Sequence, residues 1–118
     1  MAKGGLFVGW GALIPGREES AGKVLNEAMM FLQRLQQDGT IDSFDAVALE
    51  PHGGDLAGFV VVKGEKDAIA RLRVSDEFVR IMIRVQLVHS HVGVVGAYSG
   101  AEMGELFSVW DRQTEELV

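Results

Sequence analysis

Residues 44–63 read Phe44-Asp45-Ala46-Val47-Ala48-Leu49-Glu50-Pro51-His52-Gly53-Gly54-Asp55-Leu56-Ala57-Gly58-Phe59-Val60-Val61-Val62-Lys63. Two apolar runs, residues 44–50 and 56–63, flank Pro51-His52-Gly53-Gly54-Asp55. Proline and paired glycines are turn residues, so the stretch reads as two strands joined in a hairpin with an exposed tip.

On either side of the hairpin the period changes. In residues 17–38, Val24, Leu25, Ala28, Met29, Leu32 and Leu35 recur at three- and four-residue spacing, the stripe of an amphipathic helix. Glu18 and Glu19 suit the positive end of its dipole, and Gly39 is a natural stop. Before it, Leu6 to Leu13 reads as a strand, with Leu6, Val8 and Trp10 on one face and Phe7, Gly9 and Gly11 on the other. Pro15-Gly16 ends it.

After the hairpin comes a short helix, residues 66–73. Ser75 then acts as a fresh N-cap ahead of Asp76 and Glu77. Phe78, Ile81, Met82, Val85 and Val88 form the buried stripe of that second piece, and Asp76, Arg80 and Arg84 are spaced for a solvated charge ladder. Residues 92–98 read as a fourth strand. Residues 101–118 read as a last helix with Met103, Leu106, Phe107, Trp110 and Leu117 on its apolar face. The order is β-α-β-β-α-β plus a C-terminal helix. That order predicts an α+β chain of ferredoxin-like type, with a four-stranded antiparallel sheet and helices on one face.

The 118 residues suit a single domain, 1–118, and a hydrophobic share of 47% supplies its core. The chain has no cysteine, so disulfides and thiolate metal sites are excluded. Lys and Arg are outnumbered 17 to 11, for a net charge of −6. A phosphate-binding surface needs the opposite balance, so no nucleic acid and no anionic membrane is expected as a partner. The apolar run from Leu6 to Ile14 is short and broken by glycine. We read neither a signal peptide nor a membrane span in it, and expect a cytoplasmic protein.

The strands carry apolar residues to both sides: Phe7 with Val8, Val60 with Val61 and Val62, Val94 with Val95. A sheet with one wet face alternates instead. Something must cover the second face, and a second copy of the sheet is the expected cover, making a homodimer. The C-terminal helix is the rival, since Met103, Phe107 and Trp110 could fold back over the same face.

The element order, the two-sided strands and the broken second helix together resemble the dimeric α/β-barrel superfamily, in which two ferredoxin-like sheets pack face to face. Glu50-Pro51-His52-Gly53-Gly54-Asp55 and Val92-Gly93-Val94-Val95-Gly96-Ala97-Tyr98 are most similar to uncharacterised bacterial members. The superfamily also holds cofactor-independent monooxygenases of antibiotic biosynthesis, haem-degrading monooxygenases, muconolactone isomerases and stress-responsive barrel proteins. The haem-degrading group uses an Asn, Trp and His set with its Asn on the first strand. Here the lone Asn is Asn26, on the first helix, which counts against that activity.

Motif tests narrow the chemistry. Gly11 and Gly16 have phosphate-loop spacing, but Arg17 and Glu18 stand where Lys and Ser or Thr are required, and a dinucleotide fingerprint would need glycine at Ile14. Glycines 9, 11, 58, 93 and 96 lie in or beside strands, where glycine marks close approach, here of packed helices or of a ligand. His89-Ser90-His91 could present two rings to one ion, but a third ligand is needed, only His52 or a carboxylate could serve, and no metal is expected. His52 beside Asp55 reads as a polar turn rather than a base pair.

No cofactor is implied, and no nucleophile or acid–base pair stands out. Three functions stay open: a regulatory or binding dimer for a small apolar ligand, a cofactor-independent monooxygenase- or isomerase-like enzyme, and a structural or partner-binding dimer. Trp10, His89, His91 and Tyr98 combine polar tips with apolar strands and are the candidate ligand-binding residues. Catalytic residues are not assigned.

Overall fold

A computed structural model describes residues 2–118. The elements run β1 (Lys3–Trp10), α1 (Glu18–Gln37), β2 (Ser43–Ala48), β3 (Gly58–Glu65), α2 (Lys66–Arg73), α3 (Asp76–Val88), β4 (Gly93–Ala97) and α4 (Ala101–Leu117). The sheet is antiparallel throughout, in the order β2-β3-β1-β4. This is the ferredoxin-like topology that the alternation of periods predicts, with the second helix split at Val74-Ser75.

Alternation along the strands sorts the residues into a helix side and an open side. Leu6 and Val8 of β1 and Val60 and Val62 of β3 are buried with Phe31, Leu32 and Leu35 of α1, Ile69 and Leu72 of α2, and Phe78, Ile81, Val85 and Val88 of α3. Ile41, in the loop between α1 and β2, plugs the end of this core. Ser75 Oγ accepts from the Phe78 amide at 3.3 Å and starts α3 as its N-cap.

Strand edges shift from the sequence reading. β1 begins at Lys3 rather than Leu6, because Gly4 and Gly5 are strand residues. A Cβ on Gly5 would lie 2.6 Å from the Ala97 carbonyl oxygen, and one on Gly4 3.2 Å from the Lys66 Cα. The Lys3 ammonium donates to Asp42 and Glu65 at 2.8 Å each, which raises its pKa and fastens this end of the sheet. β1 stops at Trp10. Residues 11–14 turn against the end of α3, with the Gly11 amide donating to the Ser90 carbonyl (2.7 Å) and the Ile14 amide to the Val88 carbonyl (2.9 Å).

Two further expectations need correction. The charge ladder on α3 is not a ladder: Arg84 and Arg80 both turn to Glu27 of α1, at 2.6 and 3.2 Å. A carboxylate on the neighbouring helix outcompetes Asp76, one turn away on the same helix. Glycines 9, 11, 58, 93 and 96 do not admit helices. Gly58 lies under the Trp10 ring, Gly9 under the Phe7 ring, and Gly11 against the Ser90 and Asp55 carbonyls, while Gly93 and Gly96 face open space.

The hairpin tip is exposed over residues 51–55, and Gly53 takes a positive φ of 88° that favours glycine. His52 braces the turn: its Nε2–H donates to the Leu56 carbonyl at 2.8 Å and its Nδ1 accepts the Gly54 amide at 3.3 Å. We expect rapid amide exchange across Gly53 and Gly54 in native-state hydrogen-exchange NMR, with the amides of Val60 and Val62 protected. Strong protection at both glycines would contradict the exposed tip.

α4 does not fold back over the sheet. Among the described residues, none of α4 is buried, and only Glu102 and Leu106 in its first two turns are half-covered. Gly100 directs the departure with φ 58° and ψ −131°, a region essentially closed to other residues. The radius of gyration is 16.2 Å, against about 13–14 Å for a compact domain of this length. Among the described residues, nothing of the same chain therefore covers the open side of the sheet. Phe7 and Phe59 stack there at 5.4 Å, with Val47, Val61 and Val95 around them.

Candidate functional site: an apolar cavity between sheet and helices

The helix side of the sheet holds a cavity of about 360 Å³. Its floor is Val8, Trp10, Val60 and Val62, and its walls come from α1 (Ala21, Val24, Leu25, Ala28, Met29) and α3 (Phe78, Ile81, Met82, Val85). The space exists because side chains are small where the layers meet: Ala21, Gly22 and Ala28 on α1 and Ala48 on β2. A Cβ on Gly22 would touch nothing within 4 Å. Ion pairs bridge the two walls. Arg84 Nη1 reaches both oxygens of Glu27, at 2.6 and 2.8 Å, and Arg34 reaches Glu77 at 2.5 Å.

Two polar side chains join the lining, Glu18 and His89. Glu18 opens α1 and accepts the Gly16 amide at 3.3 Å. His89 is the C-cap residue of α3, and its ring crosses to the end of β1, where Nδ1–H donates to the Gly11 carbonyl at 3.0 Å. That bond selects the tautomer in which Nε2 is an acceptor. The His89 and Trp10 rings are neighbours, with centroids 6.2 Å apart. Trp10 in turn is seated over Gly58, where a Cβ would come within 2.6 Å of its ring.

The four candidate residues thus separate. Trp10 and His89 line this cavity together. His91 points away: it has a positive φ of 52°, is exposed, and lies 4.0 Å from Asp55. Tyr98 lies at the opposite end of the strands, beside a shallower depression with Lys3, Lys66 and Arg73. The sequence reading missed Glu18, Met29 and Met82 as cavity residues, having taken the first as a dipole partner and the others as core. The signal for the cavity was the cluster of small residues on α1, Ala21, Gly22 and Ala28, beside a stripe of large ones. Among the described residues, no group of three or more His, Asp or Glu side chains is placed to hold a metal ion.

The sheet order and the split second helix define a ferredoxin-like fold. No protein-family model and no curated protein matches the chain. Solved structures share the fold. A ferredoxin-like protein of the dabb family from Mesorhizobium loti superposes with a TM-score of 0.65 at 11% identity, over 85% of this chain and 99% of that one. A dimeric ferredoxin-like protein of unknown function from Jannaschia sp. does so with 0.63 at 15% identity, over 82% and 99%. SnoaB, a cofactor-independent oxygenase from Streptomyces nogalater, gives 0.53 at 13% identity, over 85% and 97%. At these identities the likeness is one of fold.

Proposed function

We propose that the protein is a homodimer that binds a small, mainly apolar molecule in the cavity between sheet and helices. The observation that carries this reading is the cavity itself: about 360 Å³, walled by apolar side chains, with Glu18 and His89 as the polar side chains of its lining. Ligand sites are commonly apolar hollows with a few placed polar groups. A neutral ligand with one hydroxyl fits best, its O–H donating to Nε2 while its rings or chain meet Trp10, Met29 and Met82. Dimerisation is supported by the uncovered Phe7–Phe59 face and by the dimeric state of the Jannaschia protein. We take the cytoplasm as its compartment, which a cysteine-free chain suits.

A panel of neutral bicyclic aromatics, 2-naphthol among them, tests the reading by NMR. Expected are shifts at the Trp10 indole and at the amides of α1 from residue 21 to residue 29. Gly22→Leu should fill the mouth, weaken binding by roughly tenfold or more and raise the melting temperature, since leucine favours helix over glycine by about 0.7 kcal/mol. A panel that leaves the cavity resonances unmoved, or one that binds Gly22→Leu as tightly as wild type, would defeat the reading.

A second reading, a cofactor-independent oxygenase or isomerase, is favoured by one feature. The His89 acceptor stands beside Trp10 in an apolar hollow, so it could take a proton from a bound phenol. Turnover that His89→Phe abolishes, with binding retained, would select this reading over simple binding.

A further inference from the structure

We propose that α4 is an exchanged arm: it leaves its own body and docks, through its apolar stripe, on the outer face of α3 in a second copy of the chain. The argument starts from α3. Phe78, Ile81, Val85 and Val88 face the core, yet Val79, Ile83 and Leu87 form a second apolar stripe on the far side, about half exposed. A helix that is apolar on both faces is a helix covered on both faces. Among the described residues of one chain, nothing covers that outer stripe. A shallow groove runs beside it to the sheet edge, between Arg73, Met82, Ile83, Gln86 and Val94.

α4 is the complementary piece. Met103, Leu106, Phe107 and Trp110 fall on one side at helical spacing, and Phe107 and Trp110 are 56% and 69% exposed. So large an aromatic surface on an otherwise polar helix is a contact surface. Charge agrees with shape. Arg73, Arg80 and Arg84 face only two carboxylates there, Glu27 and Asp76, so the outer side of α3 carries one surplus positive charge. Asp111, Glu115 and Glu116 flank the stripe of α4, where Arg112 is the one base. Gly100 lets α4 turn away from its own body.

The fit also closes. If each α4 docks on the α3 of the other copy, the contact is two-fold and no surface is left to propagate. Phe107 and Trp110, already partly covered, can still bury roughly 200–300 Å² between them. Counted on both sides and in both copies this is roughly 800–1,200 Å², too little to hold a stable dimer alone but enough to reinforce one. The arm is distinct from the sheet-to-sheet pairing and does not rest on the ligand reading.

The absence of native cysteine makes the test clean. Ile83→Cys and Phe107→Cys are placed in separately tagged chains, coexpressed and mildly oxidised. Expected is a covalent heterodimer joining the two tags, absent when Ile83→Cys is replaced by Val74→Cys at the exposed break between α2 and α3. A chain carrying both cysteines that closes on itself as a monomer, or Phe107→Cys chains that link mainly to each other, would overturn the proposal in favour of a folded-back or an α4–α4 contact. No link in any pairing overturns it too. Truncation before Ala101 gives an independent reading: the dimer dissociation constant should rise roughly tenfold or more, and an unchanged constant counts against the arm. The heterodimer link can form or fail whether or not the sheet faces pair, so the two interfaces are judged separately.

Discussion

Phe59→Glu is expected to turn a dimer at micromolar concentration into a monomer that keeps its fold. Phe59 lies in β3, opposite Gly9 of β1 and Val47 of β2, at the centre of the uncovered sheet face and stacked on Phe7. In a sheet-to-sheet dimer a carboxylate there would be buried without a partner. Such a charge costs several kcal/mol, and about 4 kcal/mol corresponds to a thousandfold weaker association. In the monomer the same side chain faces water, and the core on the other side of the sheet is untouched. Sedimentation velocity should therefore show half the mass, and far-UV circular dichroism an unchanged spectrum. A wild-type protein that already sediments as a monomer, or a Phe59→Glu variant that stays dimeric even when truncated before Ala101, would remove the sheet face as the interface.

The second large effect is expected at Gly58. This buried glycine sits beneath Trp10, and a Cβ there would lie 2.6 Å from the ring and 2.9 Å from the Val47 carbonyl oxygen. The ring is held between the cavity and the core, and the carbonyl belongs to the β2–β3 ladder, so neither gives way freely. Gly58→Ala should cost about 1–3 kcal/mol, the range for overpacking, and should displace Trp10 from the cavity floor. The double variant Trp10→Ala/Gly58→Ala separates the causes. If the ring is the main obstacle, the cost of Gly58→Ala falls in the Trp10→Ala background, a coupling of about 0.5–3 kcal/mol. Urea melts of the four proteins measure it. Strict additivity would mean that the Val47 carbonyl alone excludes the side chain.

Acid should have a small, local effect at the end of α1. The Asp38 carboxyl is held below its usual range, first by the Thr40 hydroxyl and then by the Thr40 amide, at 2.5 and 2.9 Å. A depressed carboxylate stabilises the fold above its unfolded pKa and loses that contribution as pH falls through the folded value. The group is exposed, so loss of the turn at Thr40 as pH falls below the ordinary carboxylate range should appear in local chemical shifts rather than in global melting.

How far the sequence could be read is clearest in particular residues. The hairpin around Pro51–Asp55, the stop at Gly39 and the cap at Ser75 are local devices, each working within a few residues, and each stands where it was read. Gly4 and Gly5 misled because glycine in isolation reads as a break. Their need for smallness comes from Lys66 and Ala97, some 60 and 90 residues away in the chain. Arg80 and Arg84 misled for the same reason, since Glu27 is brought to them by helix packing and not by spacing. Of the four candidate ligand residues, Trp10 and His89 meet because residues 11–14 run back along the end of α3, a crossing that no periodicity signals.

The sequence by itself determined the order of elements, the α+β class, the split in the second helix and the apolar character of both faces of the sheet. These follow from the period and chemistry of adjacent residues. Only the tertiary structure decided which small residues open a cavity, which histidine faces it, and that α4 leaves the sheet face bare. Those outcomes depend on distances between elements remote in the chain, and such distances are fixed by packing, not by local pattern.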